Sequence, residues 1–398
     1  MSPAETTTET KSGRMKKWTY RAQFFLALNL GLILYVNSSF LAGHIDAKYV
    51  GLVFSIAATL AIFTLFKLPD FIERYGNAHL IAALGFISII IIPILVTIEQ
   101  SALVIGLFVL YFIIVLMIRY SLDLYLEHIS DDATTGATRG IFLVIYNAGI
   151  LLAILLAGLI LGQGDDYQRV YFAGAIALLP LMAIASIKLE EVRSEYIKPP
   201  ALKMLKKIML AKEDWEKRIH KILAIDFLLN FFYIIMIVYT PIYLHQFIGL
   251  SWKEIGIVFA LMHIPFMLLP IPLGRLADSK FGEKEFLSLG LLTIGLTTIS
   301  ISFIQTPSLL IWSLVLIGTR VGASVIEGMK EAYLFKNIGP GDVGVLSVSR
   351  NTVPLAYIIG PLVASSFLII FDFRFLFAFI GLVMLFGLRY SLTLVDTK

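Results

Sequence analysis

The chain contains no cysteine, and charged residues make up only 15% of its 398 positions. The absence of cysteine excludes disulfide bonds, thiolate metal sites and cysteine nucleophiles. The six histidines are dispersed along the sequence, and neither an H-E-x-x-H pattern nor a phosphate-binding glycine loop occurs. These absences argue against an enzyme, and we expect no catalytic residue, no metal and no cofactor.

Apolar residues are abundant, in contrast, and account for 58% of the chain. Soluble proteins contain about half apolar and about a quarter charged residues. With a mean hydropathy of +0.87, the composition predicts a polytopic membrane protein. Because basic residues of such proteins gather in cytoplasmic loops, the net charge of +4 does not indicate a nucleic-acid partner.

Twelve segments are long enough to cross a bilayer, which takes about 20 mainly apolar residues in a helix. The sequence therefore predicts an all-α protein with twelve transmembrane helices. The predicted spans are 23–43, 49–68, 78–97, 102–124, 140–161, 169–187, 219–245, 254–273, 285–304, 307–327, 343–370 and 373–394.

Lysine and arginine concentrate in alternate loops, which by the positive-inside rule places both termini in the cytoplasm, with the plasma membrane as the expected location. The first apolar stretch is too long for a signal peptide and is followed at once by a second, so we expect it to stay uncleaved. The expected domains are a tail (1–22), a six-helix bundle (23–187), a linker (188–218), a second six-helix bundle (219–394) and a short tail (395–398).

Within the linker, apolar residues recur at helical spacing on the face opposite the basic residues. This pattern favours a short helix on the anionic inner leaflet and contact with membrane lipids. A docking site for a partner protein is the alternative. The apolar positions are Leu202, Leu205, Ile208 and Met209, and the basic ones are Lys203, Lys206 and Lys207.

The two halves show weak internal similarity, which indicates duplication. When Gly51 is set over Gly256, the next loop is reached without a gap, with Pro69 of LPDFIERYGN over Gly274 of PLGRLADSKFG and Glu73 over Asp278. Further along, DLYL at Asp123 echoes EAYL at Glu331, and Asn147 in YNAGILLA falls over Asn351 in RNTVPLAY.

The loop between the eighth and ninth spans resembles the signature of the major facilitator superfamily, G-x-L-x-D-R-x-G-R. Gly274, Leu276, Ala277, Asp278 and Gly282 match it, with one extra residue before Gly282. The first copy keeps Arg74 and Gly76 but has Pro69 and Glu73 at the Gly and Asp positions.

This resemblance covers essentially the whole chain and implies two pseudo-symmetric six-helix bundles, a monomer and a small-molecule substrate moved by alternating access. It also implies that acids in the signature loops face helix N-termini in the opposite half, an arrangement favoured by the helix dipole. The gating residues implied in this way are Glu73, Arg74, Gly76, Asp123, Gly274, Asp278, Gly282 and Glu331.

Charged residues inside spans cost about 2.5–3.5 kcal/mol each, so each needs water or a partner. In the second half we find Asp226, Arg320, Glu327 and Arg350. Asp226, Arg320 and Arg350 are predicted to form one layer, in which the two arginines outnumber the acid and favour an anionic substrate. An internal salt bridge, with Glu327 pairing the second arginine, is the alternative.

Neutral polar residues in the spans are candidates for hydrogen bonding to a substrate, or merely to neighbouring helices. With the two arginines, the predicted cavity residues are Asn29, Tyr35, Asn37, Tyr146, Asn147, Asn230, Tyr233, Arg320, Arg350 and Asn351. If protons drive transport, a buried carboxylate should carry them, which makes Asp226 and Glu327 the coupling candidates. His263 is a further candidate, for which a hydrogen bond within the bundle is the alternative.

The sequence thus favours a secondary transporter for a small organic solute, with a lean towards anions. A receptor or lipid-moving protein of the same fold is the alternative, because function depends on the site and not on the fold.

Overall fold

A computed structural model of the chain describes residues 3–130, 135–192, 214–279, 282–338 and 343–395. Within these ranges, twelve helical segments are long and apolar enough to cross a membrane. The predicted number of spans and the all-α class are therefore confirmed. The amphipathic helix predicted around residues 202–209 lies outside the described residues.

The described part of the first half contains seven helices, and the first begins at Pro3, inside the predicted tail. They are α1 (Pro3–Leu34), α2 (Asn37–Ala42), α3 (Ala47–Tyr75), α4 (Asn77–Thr97), α5 (Ser101–His128), α6 (Thr135–Leu161) and α7 (Tyr167–Ile187).

In the second half several spans consist of more than one helix, since short interruptions divide them. The helices are α8 (Asp214–Ile242), α9 (Trp252–Leu261), α10 (Ile264–Leu268), α11 (Pro270–Ser279), α12 (Glu283–Ile301), α13 (Leu309–Asn337), α14 (Val343–Arg350), α15 (Thr352–Ile370), α16 (Phe373–Phe386) and α17 (Leu388–Ser391). A π-helical segment, Tyr243–Phe247, extends α8.

Two compact units are present: Met1–Asp46 with Ile56–Ile197, and Ala47–Ser55 with Lys198–Lys398. In the first unit, α1 packs against α6 and α7, and α4 packs against α5 and α7. In the second unit, α12 contacts α13 and α16, while α8 contacts α13 and α15.

The α12–α13 pair depends on glycine at its closest point. A Cβ atom on Gly322 would lie 2.6 Å from the backbone nitrogen of Ile294 and 2.7 Å from the carbonyl oxygen of Gly290. Small residues of this kind let membrane helices approach closely. The approach holds α13, which carries Arg320 and Glu327, in a fixed position.

Helix α13 continues to Asn337, well past residue 327 where the apolar pattern ends. Its last turn is anchored by an ion pair of 2.5 Å between Lys336 and the buried carboxylate of Glu283. The indole nitrogen of Trp215 also donates to the carbonyl of Asn337 at 3.0 Å. These contacts stabilise the polar end of α13, so that Lys330 and Glu331 belong to the helix.

Candidate functional site

The second unit contains a stripe of polar side chains along α13, as the helical spacing predicts. Ser313, Arg320 and Ser324 are buried, Glu327 is half-buried and Glu331 is exposed. Two layers of side chains form around this stripe and the facing part of α8.

The first layer is centred on Arg320, which is only 6% exposed. Its guanidinium carbon lies 5.8 Å from the ring centroid of Phe232 and 5.3 Å from that of Tyr233. In the described parts of the chain, no side chain or carbonyl forms a hydrogen bond or ion pair with this guanidinium. Arg320 is therefore a buried cation held by aromatic faces, with its N–H donors available.

Glu327 lies two turns further along the same helix. The hydroxyl of Tyr233 donates to its Oε2 atom at 2.7 Å, so one tyrosine contacts the arginine through its ring and the acid through its hydroxyl. This bond joins α8 to α13 and fixes the ring that supports the guanidinium.

The second layer is centred on Asp226 of α8, which forms an ion pair with Lys330 of α13. Its carboxylate also accepts from Asn230 Nδ2 at 3.1 Å, Ser349 Oγ at 3.1 Å and Thr352 Oγ1 at 2.8 Å. Four donors thus surround one carboxylate. A proton arriving there would have to displace one of them.

A small cavity of about 40 Å³ adjoins this layer. Its walls are formed by Ile222, Leu223, Asp226, Lys330, Glu331, Leu334 and Ser349. The space suits one or two water molecules, whereas pockets for organic ligands span about 300–1,000 Å³. The cavity is therefore suited to hydrating the ion pair.

The charged residues that the sequence placed in one layer thus lie in two separate layers. Asp226 and Tyr233 are separated by two turns of α8, about 10 Å, and Asp226 contacts Lys330 where the sequence suggested an arginine. Arg350 and Asn351 are exposed at the junction of α14 and α15. Lys330 was missed because it follows the apolar run, where the span was predicted to have ended.

The eighth span is interrupted next to Arg320. Helix α9 ends at Leu261 and α10 begins at Ile264. Just beyond the break, the carbonyl of Pro265 accepts from Ser324 Oγ at 3.3 Å. The Nδ1 atom of His263 lies 2.6 Å from the carbonyl oxygen of Phe259.

Two of the three predicted cavity asparagines of the first unit, Asn29 and Asn37, lie in helix contacts. Asn29 is fully buried, accepts from Tyr111 Oη at 2.9 Å and donates to the carbonyl of Gly174 at 2.9 Å. Asn37 accepts from Tyr171 Oη at 2.7 Å. Tyr35 is buried as well. These bonds connect α1 and α2 to α5 and α7 and occupy the groups that a substrate would need.

An arginine of the first unit was also missed. Arg119 of α5 is exposed, and its guanidinium carbon lies 5.0 Å from the ring centroid of Tyr146. Asn147, next in the chain, is exposed too. A charged side chain in a span requires water or a partner, and the ring of Tyr146 contacts this one.

The first signature loop is built around Gly76, whose φ of 84° is a conformation that favours glycine. A Cβ atom there would lie 2.1 Å from the carboxylate of Glu191. That carboxylate accepts from the backbone N–H groups of Ala78 at 3.0 Å and His79 at 3.1 Å, and it also pairs with the imidazole of His79. Glu191, not a residue of the signature, therefore caps α4.

The remaining predicted gating residues lie near helix ends. Glu73, Arg74 and Asp123 are exposed, and the guanidinium of Arg74 lies 5.2 Å from the ring of Tyr75.

In the second copy of the signature, Gly274 is half-buried. The N–H of Gly282 donates to Glu285 Oε2 at 3.1 Å. The side chain of Asp278 lies outside the described part of the structure. In the part of the chain that is described, no group of three or more His, Asp or Glu side chains is placed to hold a metal ion.

Comparison with known proteins agrees with this geometry. The family model described as Major Facilitator Superfamily matches residues 20–353. The solved structure of the nucleoside transporter NupG superposes with a TM-score of 0.75 and 13% identity, covering 96% of this chain and 100% of NupG.

Two other solved structures show the same fold. An auto-inhibited POT family peptide transporter gives a TM-score of 0.73 at 13% identity, over 96% of this chain and 98% of the other. A bacterial metal transporter gives 0.69 at 14% identity, over 95% and 98%. No curated protein sequence matches the chain.

Proposed function

Because the chain belongs to the major facilitator superfamily, we propose that it is a secondary transporter that moves a small organic anion across the membrane by alternating access. The proposal includes insertion in the plasma membrane as a monomer with both termini in the cytoplasm. The positive-inside distribution of lysine and arginine supports this orientation.

The environment of Arg320 is the observation that supports an anionic substrate. A buried cation is unfavourable unless a partner or water compensates it. The faces of Phe232 and Tyr233 supply part of this compensation. A carboxylate or phosphate of the substrate would supply the rest, because the planar guanidinium binds such groups through two parallel hydrogen bonds.

The alternative of an internal salt bridge finds less support in the contacts. Asp226, the acid expected to pair with an arginine, is surrounded by Lys330 and three neutral donors. Glu327 accepts from Tyr233. Arg320 thus keeps its charge and its N–H donors for a ligand.

If the transporter uses proton coupling, the same contacts support Glu327 as the residue that carries the proton. Asp226 accepts four hydrogen bonds, whereas Glu327 accepts one from Tyr233 and is half-buried. A carboxylate that carries protons must gain and lose them without dismantling its surroundings. Glu327 satisfies this condition better than Asp226.

The test starts with the melting temperature of the purified protein against organic anions, sugars, amino acids and amphipathic cations. A ligand at a hundred times its Kd stabilises the bound state by about 2.7 kcal/mol. We expect anions to give the largest shifts and Arg320→Gln to remove them. Arg350→Gln is the matched control, since Arg350 is exposed.

Uptake of the stabilising anion into proteoliposomes then separates transport from binding. Accumulation that Arg320→Gln abolishes supports the proposal. Shifts confined to neutral or cationic compounds would contradict the anionic substrate, and binding without flux would favour a receptor.

A further inference from the structure

The break in the eighth span brings an imidazole into the layer of Arg320. Ser324, one turn from Arg320 on α13, donates to the carbonyl of Pro265. The ring of Phe266 lies 6.3 Å from the ring of Tyr233, which in turn supports the guanidinium. His263 stands at the start of the helix after the break, two residues before Pro265. The break therefore faces the buried cation.

The backbone contact of this imidazole determines the tautomer of its neutral form. Nδ1 of His263 lies 2.6 Å from the carbonyl oxygen of Phe259. A carbonyl oxygen only accepts, so Nδ1 must carry the hydrogen. In the neutral ring the other nitrogen, Nε2, is then a hydrogen-bond acceptor.

This acceptor is open to a ligand. His263 is half-buried, and in the described ranges its one polar contact is the bond to Phe259. On α13, which packs against the helices on both sides of the break, Arg320 presents only donors. The two side chains thus offer complementary groups: a cation with N–H donors, and a neutral acceptor that a carboxylate cannot satisfy.

We propose that His263 is a specificity-determining residue, which makes the site selective for organic anions that also carry a hydroxyl or another hydrogen-bond donor. The inference rests on the proposed function, because Arg320 has to hold the anionic group. The carboxylate or phosphate binds the guanidinium, and the donor of the same ligand binds Nε2 of His263. An anion without a donor leaves Nε2 of His263 unpaired, which lowers the affinity of the site for that anion.

The experiment compares matched anions that differ in one hydroxyl: propionate with lactate, butyrate with 3-hydroxybutyrate, and succinate with malate. Affinities are measured from the shift in melting temperature of the full-length protein at pH 8, where an ordinary histidine is neutral. We expect the hydroxylated member of a bound pair to bind about 3- to 10-fold more tightly, as one hydrogen bond provides.

Two substitutions separate the nitrogens of the ring. His263→Asn keeps an N–H donor near the position of Nδ1 for the carbonyl of Phe259 but removes the acceptor at Nε2. His263→Gln places an amide near the position of Nε2 and gives up the bond to Phe259. We expect His263→Asn to abolish the preference for hydroxylated anions while still binding anions, and His263→Gln to retain part of the preference.

The outcomes distinguish this inference from the proposed function. Anions that bind through Arg320 without any preference for the hydroxylated member would overturn the role of His263 and leave the anion site intact. A preference that persists in His263→Asn would do the same. If Arg320→Gln changes the binding of no anion, the proposed function fails and this inference fails with it.

Discussion

The hydroxyl of Tyr233 donates a hydrogen bond of 2.7 Å to Oε2 of Glu327. The same tyrosine supports the guanidinium of Arg320 with its ring. Substrate binding at Arg320 and protonation of Glu327 would therefore both change the contacts of Tyr233. Such a shared contact provides a physical route for coupling the two events, since a ligand shifts an equilibrium only through contacts that differ between states.

Glu327→Gln is expected to abolish uptake driven by a pH gradient while preserving exchange of labelled for unlabelled substrate at equal pH. The amide cannot carry a proton but keeps an oxygen that accepts from Tyr233. Proteoliposome uptake with and without an imposed gradient measures both activities. Gradient-driven uptake that persists in Glu327→Gln would remove this residue from the coupling path.

Asp226→Asn is the comparison for that experiment. We expect it to retain gradient-driven uptake per folded molecule, because its carboxylate is engaged by Lys330 and three neutral donors. Loss of gradient dependence in Asp226→Asn alone would move the coupling role to the layer around Lys330.

The ion pair between Asp226 and Lys330 is expected to behave as a buried pair, since the two side chains are only 7% and 14% exposed. Asp226→Asn or Lys330→Met should each lower the free energy of unfolding by about 3–5 kcal/mol, because each leaves an uncompensated charge. The double variant should recover most of this loss. Chemical unfolding in lipid or detergent completes the double-mutant cycle, and purely additive losses would contradict the pairing.

Gly322→Ala should destabilise the second unit by about 1–3 kcal/mol through overpacking. The added Cβ atom would lie 2.6 Å from the backbone nitrogen of Ile294, and a backbone atom cannot rotate away. Gly328→Ala is the matched control on the same helix, because nothing lies within 4 Å of its Cβ position. Equal melting temperatures for the two variants would show that α12 and α13 do not approach this closely.

Glu191→Ala is expected to destabilise the first unit by about 1–2 kcal/mol, as the loss of a helix cap does. Its carboxylate serves the N–H groups of Ala78 and His79. Glu99→Ala, at the opposite end of α4 where the side chain is exposed, should change the melting temperature little. A stability of Glu191→Ala equal to that of Glu99→Ala would contradict the capping role.

The orientation can be tested with single cysteines, since the natural chain contains none. We expect Gln163→Cys, in the loop after α6, to react with an impermeant maleimide from outside intact cells. His128→Cys, at the end of α5, should react only after the cells are opened. The reverse pattern would place the termini on the other side.

The helices were largely predictable because a bilayer imposes one length and one hydropathy on every span. The end of α13 was not, since Lys330 and Glu331 resemble a loop in composition. Their place in the helix depends on the anchoring of Asn337 by Trp215 and of Lys336 by Glu283, contacts between residues far apart in sequence.

The site was predictable to the level of residue type and helix face. The helical period aligned Arg320 with Glu327 correctly, but it could not show that Tyr233 supports one and bonds the other. For the same reason Asn29 resembled a cavity residue. Its bonds to Tyr111 and Gly174 depend on how three helices pack, which hydropathy does not specify.

The cap that Glu191 places on α4 has a practical consequence for dividing the protein into two separately expressed fragments. An N-terminal fragment ending with α7 at Ile187 would lack the acceptor for Ala78 and His79. It would also lack the carbonyl of Val192, which accepts from the N–H of Asn77 at 3.0 Å. A fragment extended through Val192 retains both, so fragment complementation should be more efficient when the cut falls after that residue.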